Sequence, residues 1–413
     1  MLSDAVLVTT KLSMRPDWLD DPNILRLFQV LEAASIEGRF VGGCVRDFLV
    51  GREVHDFDIA VNRDPEYVMK SLEAAGLRVI PTGLSHGTIT AVLDHVPYEL
   101  TTLRKDVETD GRHAVVEFTD DWQEDAARRD FTMNALYMDV GGTLYDYFGG
   151  WDDLKDGHVR FVGDPRLRMT EDALRLLRYF RFSARYERQG FDQNVLAICK
   201  EFVSHLPRLA TERIWQEWSK LLTIPKISST LSAMNQIGMF DQMYRKMPVK
   251  VTDKDIAFLD QLNGGNPLQR LALLHGHFDQ KEARQLANAL RFSNAEKKYF
   301  IGLYTPREIF KDLSNRMFFQ VYNKIGPDLV RDIAQLGQIR DEDGGWDKLG
   351  CFAEKTGQPE FPLLGRDVIN MGVEAGPEVG QILQKVEDEW IGSGFQIDRE
   401  TCLSRLEKIA KKE

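Results

Sequence analysis

The sequence predicts an α+β protein in which a head with a small mixed β-sheet precedes a long all-helical remainder. Two observations predict this division. Runs that favour strands are concentrated before Trp151, whereas helical segments such as EDALRLLRYFRFSARYE and TERIWQEWSKLL follow one another beyond it. The chain of 413 residues is long enough for about two to four domains. We therefore expect the head and the helical part to be separate domains.

The first elements of the head alternate between strand and helix. RFVGG predicts a short strand that ends in a glycine turn, and CVRDFLVG predicts a helix that Gly51 closes. DFDIAV, residues 56–61, alternates as a strand does. PEYVMKSLEAAG, residues 65–76, begins with proline and ends with glycine, which is the usual order for a helix. This order predicts a mixed head.

The later part of the head is richer in strands. HGTITAVLD and VPYELTTL predict a hairpin, AVVEF predicts a further strand, and LYMDVGGTLYDYF predicts a hairpin with Gly141 and Gly142 at its turn. The polar stretch LRKDVETDGRHAVVEF contains Gly111 and predicts a flexible loop. Beyond residue 225 the segments are mostly helical, and the sequence has no internal repeat.

Composition restricts the function classes. The net charge of −11 disfavours a nonspecific nucleic-acid binder, although a local basic groove remains compatible with it. Cys44, Cys199, Cys351 and Cys402 form no CxxC pair, which argues against a zinc ribbon or a disulfide framework and suits a reducing cytoplasm. No apolar run is long enough to span a bilayer, and the first residues do not resemble a signal or transit peptide. We expect a cytoplasmic protein.

Two aspartates, Asp56 and Asp58, stand two positions apart on a predicted strand, where side chains at i and i+2 point to one face. Their carboxylates repel each other unless a cation lies between them, and Mg²⁺ prefers such oxygen ligands. The alternative is an exposed strand edge with two solvated acids. Upstream, Gly42 and Gly43 permit close approach of the backbone to a phosphate, and Arg46 lies in the first turn of the next helix. The combination favours a site for a metal ion and a phosphate.

Five segments between residues 38 and 222 resemble, in the same order, the motifs of the class II tRNA nucleotidyltransferases and bacterial poly(A) polymerases, which belong to the polymerase-β-like nucleotidyltransferase superfamily. The segments are FVGGCVRDFLVGREVHDFDIAV, RRDFTMNAL, DYFGGWDDLKDGHVRFVGD, EDALRLLRYFRF and TERIWQEWSKLL. The resemblance implies a polymerase-β-like catalytic head at residues 24–150 and a helical neck with a nucleotide-selecting helix at 151–222. It also implies a helical body and tail at 223–413 that bind tRNA.

The resemblance implies roles for residues of the head. Asp56 and Asp58 are implied to be the catalytic residues and the ligands of two Mg²⁺ ions, and Gly43 and Arg46 are implied to hold the triphosphate of the nucleotide. A third carboxylate is common in the superfamily, and Glu99 on YELTTL is the candidate. The alternative for Glu99 is an outward-facing strand acid.

The segment RRDFTMNAL is implied to form another wall of the same cleft. Arg129 is implied to contact the bound nucleotide, and Arg128 to do so less directly, mainly as scaffold. Asp130 is predicted to orient a neighbouring arginine or the local helix start. Asn134 lies four residues further on and is predicted to contact the ribose. Two apolar residues of the segment are predicted to lie in the core: Phe131 and Leu136.

Arg175, Arg178 and Arg181 are spaced by three on a predicted helix, and Asp172 precedes Arg175 by three, so all four are predicted to share one face. The alternative is a salt-bridge ladder on a solvated helix. The resemblance implies that the arginines bind nucleotide and that Asp172 and Arg175 select the base. A carboxylate accepts hydrogen bonds and a guanidinium donates them, which matches the amino group and ring nitrogen shared by cytosine and adenine. Uracil and guanine present the reversed pattern.

Within the family, the sequence favours addition of C, C and A to the 3′ end of tRNA from CTP and ATP without a template. The region after the two aspartates lacks an arginine-rich stretch typical of the poly(A) polymerases, and the polar loop around Gly111 is implied to assist the change from C to A addition. The alternatives are a bacterial poly(A) polymerase, an enzyme that adds only the terminal A, and an inactive RNA-binding protein on the same head. The implied partners are the tRNA acceptor stem and 3′ end, CTP and ATP. No membrane and no obligate protein partner are implied.

Overall fold

The structure, a computed structural model, describes residues 7–12, 15–109, 114–244, 247, 249–340 and 345–410. The chain forms two compact units: Met1–Leu221 with Ala233–Met243, and Leu222–Ser232 with Tyr244–Glu413. All strands of the described residues lie in the first unit, and the second unit is helical. The α+β class and the order of mixed head and helical remainder are therefore confirmed. The domain boundaries at residues 150 and 222 stay a prediction.

Eight strands of the head form one mixed sheet in the order β1-β10-β9-β2-β3-β6-β5-β4, and β7 and β8 form a separate two-stranded sheet. Only β3 and β6 pair in parallel among these described strands. The strands are β1 Val8–Lys11, β2 Gly38–Val41, β3 Asp58–Val61, β4 Arg78–Gly83, β5 Thr88–Leu93, β6 Val96–Thr102, β7 Arg104–Thr109, β8 Ala114–Phe118, β9 Leu136–Met138 and β10 Thr143–Asp146. Sequence reasoning missed β1, a short strand without alternating burial.

Helices pack around the sheet and make up the second unit. In the head, Asp21 and Asp64 cap α1 and α3, which both begin with proline, and the proline start of α3 was predicted. The helices are α1 Pro22–Ala33, α2 Gly43–Leu49, α3 Pro65–Ala74, α4 Trp122–Ala127, α5 Gly150–Asp156, α6 Pro165–Glu171, α7 Leu174–Tyr186, α8 Gln193–Phe202, α9 Thr211–Leu222, α10 Ser228–Gln236, α11 Met239–Met243, α12 Asp253–Leu259, α13 Pro267–Leu274, α14 Gln280–Ala289, α15 Asn294–Gly302, α16 Arg316–Ile325, α17 Pro327–Arg340, α18 Trp346–Thr356, α19 Gly365–Ile369, α20 Pro377–Gly392 and α21 Arg399–Ala410. Among the described helices, none is long and apolar enough to cross a membrane.

Both predicted hairpins of the large sheet are present. The β5–β6 hairpin turns at Asp94 and His95, which both have positive φ, as a two-residue turn with the twist of the strands requires. The β9–β10 hairpin turns at Gly141 and Gly142. The flexible loop predicted for LRKDVETDGRHAVVEF is wrong where the structure describes it, because β7 and β8 pair from Arg104 onward. Charged residues on the strands concealed this pairing, and Gly111 lies outside the described residues.

The helix predicted through EDALRLLRYFRFSARYE is interrupted at its start. α6 ends at Glu171, and Asp172 has an extended backbone with φ −150° and ψ 107° before α7 begins at Leu174. The Asp172 side chain accepts a hydrogen bond from the Leu174 amide at 3.0 Å, and this local capping bond competes with helix continuation. The prediction that Asp172 shares a helical face with the arginines by regular spacing is therefore wrong. The apolar side of α7 is buried, as predicted.

An aromatic cluster supports the start of β3. Phe57 packs against Trp18, Phe40 and Tyr98, with ring centroids 5.0, 6.0 and 6.1 Å away. Phe57 stands between Asp56 and Asp58, so the cluster anchors the backbone that holds both carboxylates. Aromatic burial of this kind stabilises by dispersion and by removal of apolar area from water.

Gly150 shows how closely α5 approaches the RRDFTMNAL segment. A Cβ on Gly150 would lie 2.1 Å from the Thr132 carbonyl oxygen and 3.0 Å from the Met133 nitrogen, and these are backbone atoms that cannot move cheaply. We expect Gly150→Ala to destabilise the protein by about 1–3 kcal/mol, measured by urea unfolding. Gly380→Ala is the control, because a Cβ on this glycine of α20 meets no heavy atom within 4 Å. Equal unfolding midpoints for Gly150→Ala and the unsubstituted protein would contradict the close approach.

Candidate active site

The turn between β2 and α2 requires glycine. Gly42 has φ 70° and ψ −115°, a conformation that L side chains rarely adopt. Gly43 is the first residue of α2, and a Cβ there would lie 3.9 Å from Nη2 of Arg46. The strand, the glycine turn and the following helix are confirmed, and they place the backbone of Gly43 beside Arg46.

Arg46 is held firmly. Only 8% of the residue is exposed. Its Nη1 donates to Oδ1 of Asn134 at 2.6 Å, and its Nε donates to the Tyr186 hydroxyl at 2.8 Å and to Oδ1 of Asp47 at 3.0 Å. The guanidinium therefore has a fixed orientation beside Gly43. Its implied contact with a triphosphate stays a prediction.

Asp56 and Asp58 lie at the start of β3, and Glu99 lies beside Asp58 on the neighbouring strand β6. The strand begins at Asp58, and Asp56 therefore precedes β3 rather than belonging to it. The pairing of β3 with β2 extends only from Val61 to Ile59. Asp58 is the register partner of Glu99 on the parallel strand β6, and parallel partners point to the same face. Glu99 is thus the neighbour of Asp58, and its side chain is exposed, as the alternative of an outward-facing strand acid also requires. Its role as a third carboxylate stays a prediction.

The electrostatics of these carboxylates show mutual repulsion. Loss of surrounding water raises the pKa of Asp58, the nearby Asp56 raises that pKa further, and Arg129 lowers it. Partial burial and the charge of Asp58 raise the pKa of Glu99. Negative charge is therefore concentrated here with incomplete compensation by the protein, which favours a cation in the site.

The carboxylates suit a divalent cation that takes its remaining ligands from water and substrate. Among the described residues, no three side chains of His, Cys, Asp or Glu are arranged as a closed metal site. A pair of carboxylates such as Asp56 and Asp58 nevertheless suits Mg²⁺, which commonly takes one or two carboxylates and keeps water and substrate phosphate oxygens.

Arg128 and Arg129 follow α4 and share one buried acid, Asp125. Arg128 donates to its Oδ1 at 2.8 Å and Arg129 donates to its Oδ2 at 3.0 Å. The Tyr137 hydroxyl also donates to Oδ2, at 2.7 Å, and accepts from Nε of Arg129 at 3.1 Å. Sequence reasoning missed Asp125, although its spacing of three and four residues from the arginines is the helical signal for such pairs.

A polar chain links the glycine turn to α7, and we define it as Asp47, Arg46, Asn134, Asp130 and Arg178. Nδ2 of Asn134 donates to Oδ1 of Asp130 at 3.0 Å, and Nε of Arg178 donates to Oδ2 of Asp130 at 2.6 Å. Asp130 therefore orients a neighbouring arginine, as predicted. Phe131 and Leu136 are fully buried, which confirms their assignment to the core. The ribose contact of Asn134 stays a prediction.

The arginines of α7 are partly buried and mostly paired with acids from other elements. Glu217 on α9 accepts from Nε of Arg181 at 2.6 Å and lies 3.6 Å from Nη1 of Arg178. The side chains of Arg178 and Arg181 are 31% and 12% exposed. The alternative of a salt-bridge ladder along a solvated helix is therefore wrong. Glu217 was missed, because its pairing with α7 depends on tertiary structure.

Asp172 and Arg175 are close in the chain but are held by different partners. Oδ2 of Asp172 accepts from Nη2 of Arg213 at 2.7 Å. Arg175 forms an ion pair with Glu171 and donates to the backbone carbonyl of Arg128 at 2.8 Å. The two side chains implied to select the base are thus each oriented by a neighbour. Their role in selection stays a prediction.

The fold and this site are those of a nucleotidyltransferase. The chain matches the family models "Poly A polymerase head domain" over residues 38–160 and "Probable RNA and SrmB- binding site of polymerase A" over residues 190–248. It resembles the crystal structure of the Bacillus stearothermophilus CCA-adding enzyme in complex with CTP, with a TM-score of 0.73, 25% identity and coverage of 97% of this chain and 99% of that one.

Curated relatives identify the particular family. The mitochondrial CCA tRNA nucleotidyltransferase 1 of Danio rerio is 35% identical over 400 residues, which cover 93% of this chain and 90% of that protein. The CCA-adding enzyme of Ligilactobacillus salivarius is 32% identical over 404 residues, covering 93% and 96%. This chain belongs to the family of the CCA-adding tRNA nucleotidyltransferases.

Proposed function

We propose that this protein adds C, C and A to the 3′ end of tRNA, using CTP and ATP and no nucleic-acid template. The observation that carries the proposal is the set of carboxylates Asp56, Asp58 and Glu99 beside Arg129 and the glycine turn at Gly42. Relatives named for CCA addition that align with about nine-tenths of the chain support the same activity.

In the proposed reaction the 3′-oxygen of tRNA forms a bond to the α-phosphorus of the nucleotide. The bond from that phosphorus to the bridging oxygen breaks, pyrophosphate leaves, and the hydroxyl proton passes to solvent. Asp56 and Asp58 are the catalytic residues and would hold Mg²⁺, which when bound lowers the pKa of the attacking hydroxyl and neutralises charge on the leaving oxygen. Glu99 is proposed to support the same carboxylate site.

The remaining residues bind and orient the nucleotide in this proposal. Gly43, Arg46 and Arg129 meet the triphosphate, because the turn offers backbone amides beside two fixed guanidinium groups. Arg128 acts indirectly, because it pairs with Asp125, which also holds Arg129. The polar chain places Asn134 between the glycine turn and α7, where it would meet the ribose.

Base selection is proposed to depend on the beginning of α7. Asp172 accepts one hydrogen bond at each oxygen from the protein, and a carboxylate can accept further bonds, so it retains capacity for an exocyclic amino group. Arg175 would donate to the ring nitrogen next to that group. Arg178 and Arg181, which Asp130 and Glu217 hold, complete the nucleotide-binding side of the helix.

A minus-CCA tRNA incubated with CTP, ATP and Mg²⁺ tests the proposal directly. We expect three added nucleotides, read by 3′-end sequencing as CCA, and no further growth. An A tail longer than one residue would indicate a poly(A) polymerase. Extension of only a tRNA that already ends in CC would indicate an A-adding enzyme, and tRNA binding without any extension would indicate an inactive RNA-binding protein.

The helical second unit is proposed to bind the tRNA acceptor stem, mainly by backbone and shape contacts, since tRNAs differ in sequence. No obligate protein partner is proposed. We also propose a cytoplasmic location. Cys44, Cys199, Cys351 and Cys402 are unbridged, which suits a reducing compartment. The Danio rerio relative is named as mitochondrial, so fluorescence microscopy of the tagged chain in its own cell is the test of location.

A further inference from the structure

Asp125 is an unusually buried carboxylate for a residue next to a cleft. Its side chain is 1% exposed, and burial of an unpaired carboxylate is costly. Both oxygens are used: Oδ1 accepts from Nε of Arg128 and, at 3.3 Å, from the Arg104 amide, while Oδ2 accepts from Arg129 and Tyr137. The two arginines hold the pKa of Asp125 well below its ordinary value despite burial. Asp125 is therefore an ionised anchor under the two arginines.

The contacts of Arg129 define its direction. Asp125 holds Nη2 and the Tyr137 hydroxyl holds Nε, so one edge of the guanidinium is fixed. Its Nη1 lies 3.6 Å from the position of a Cβ on Gly42, on the turn that precedes α2. The charge of Arg129 also reaches the carboxylate of Asp58. The unfixed edge of Arg129 thus points to the place between the glycine turn and the carboxylates.

Tyr137 makes this arrangement rigid. Its ring is fully buried in a cluster with Trp122 and Tyr147, which prevents the hydroxyl from following a displaced arginine. Asp125, Tyr137 and Arg129 form a closed triangle of three hydrogen bonds, all between 2.7 and 3.1 Å. Charge-assisted hydrogen bonds of this length are among the stronger ones in proteins.

The arginines of the base-selecting helix have other anchors. Arg175 pairs with Glu171, Arg178 with Asp130, and Arg181 with Glu217. The link between the two sets is the bond from Arg175 to the backbone carbonyl of Arg128, which does not involve the Asp125 side chain. Loss of the Asp125 charge should therefore affect Arg129 without directly removing a partner from α7.

We propose that Asp125 and Tyr137 are positioning residues that aim Arg129 at the part of the incoming nucleotide that CTP and ATP share. The inference rests on the proposed function and deepens it. This role predicts equal effects on the two nucleotides. A residue that positions a group at the triphosphate and ribose should change the affinities for CTP and ATP by the same factor. A residue that contacts the base should instead change the selectivity between bases.

The test compares Asp125→Asn and Tyr137→Phe with two matched controls in the full chain. Asp121→Asn makes the same change at the exposed cap of the same helix, where asparagine also caps well. Tyr145→Phe removes a comparable tyrosine–aspartate bond, from Tyr145 to Asp139 at 3.0 Å. KM and kcat are measured for CTP on tRNA lacking CCA and for ATP on tRNA ending in CC, together with the Kd of each nucleotide and of tRNA.

We expect Asp125→Asn to raise KM and Kd for CTP and ATP by the same factor, about tenfold, with a smaller increase for Tyr137→Phe. The values of kcat, of the tRNA affinity and of the selectivity against UTP should stay within about twofold of those of the unsubstituted protein. Both controls should behave as the unsubstituted protein. Unchanged nucleotide affinity in both variants, or a change for only one nucleotide, would overturn the inference. If Asp125→Asn fails to fold, Tyr137→Phe, which keeps the ring, decides it.

The outcomes separate this inference from the proposed function. If the unsubstituted protein does not extend tRNA, the proposed function fails, whereas equal weakening of CTP and ATP binding in Asp125→Asn would still support the positioning role. If tRNA is extended normally and the variants bind both nucleotides as before, only the positioning role fails.

Discussion

Asp58→Ala is expected to lower the rate of CMP addition to tRNA by at least about a thousandfold while tRNA binding is retained. Asp58 is the central carboxylate of the site, because it lies opposite Glu99 in the sheet and is coupled to Asp56. Its removal takes away the oxygen ligands on which the proposed Mg²⁺ site depends. Single-turnover extension of a labelled minus-CCA tRNA measures the rate, and filter binding measures the tRNA affinity.

The same substitution should leave the fold at least as stable as before. Loss of surrounding water and the nearby Asp56 raise the pKa of Asp58 more than Arg129 lowers it, so the charged form at neutral pH opposes folding. Asp58→Ala removes this unfavourable charge, so we expect an unchanged or higher Tm. Asp64→Asn, at the exposed cap of α3 beyond the same strand, is the control and should keep full activity. Retained activity in Asp58→Ala would exclude the proposed mechanism.

Asp172→Ala combined with Arg175→Ala is expected to reduce discrimination against UTP and GTP by roughly ten- to a hundredfold. The pair offers an acceptor beside a donor, and a mismatched base leaves partners unpaired at a cost of about 1–3 kcal/mol each. Competition between CTP and UTP, and between ATP and GTP, on the same tRNA measures the effect.

A milder variant separates the role of Asp172 in base selection from its role in the local structure. Asp172 also accepts from the Leu174 amide at the start of α7 and binds Arg213, so Asp172→Asn is a milder variant that can keep an oxygen for that amide. Asp164→Asn, at the exposed cap of α6, is the matched control and should discriminate normally. Discrimination that stays unchanged in the double variant would rule out this pair as the selector.

Local patterns were sufficient for the elements that carry the glycine turn and the carboxylates. Gly42 is needed for a turn with positive φ, and the alternation after Asp58 describes a strand of the sheet, so both could be read from short stretches. The interruption of the helix at Asp172 also has a local cause, the hydrogen bond from the Leu174 amide to its side chain. The sequence interpretation gave more weight to the helical periodicity and missed it. Asp125 was within reach for the same reason, since its partners lie three and four residues away.

Other parts of the site depend on contacts that no local pattern contains. Arg46 and Tyr186 are 140 residues apart, and Arg181 and Glu217 are 36 apart. Such pairs form only after the sheet and the helices have packed, so the sequence indicated the arginines without their anchors. The strand AVVEF was predicted, but its partner β7 was missed because the sequence RKDVET is mostly charged and is typical of a polar loop.

The polar chain has an evolutionary consequence. It joins Arg46, beside the glycine turn, to Arg178 on α7 through Asn134 and Asp130. Substitutions at its two ends should not be additive, because each end helps to orient the shared middle. If α7 selects the base and Arg46 binds the triphosphate, as proposed, a lineage that changes its nucleotide preference at α7 would therefore also disturb triphosphate binding. We expect such changes to survive mainly as compensated pairs, with the order of mutation constrained by epistasis.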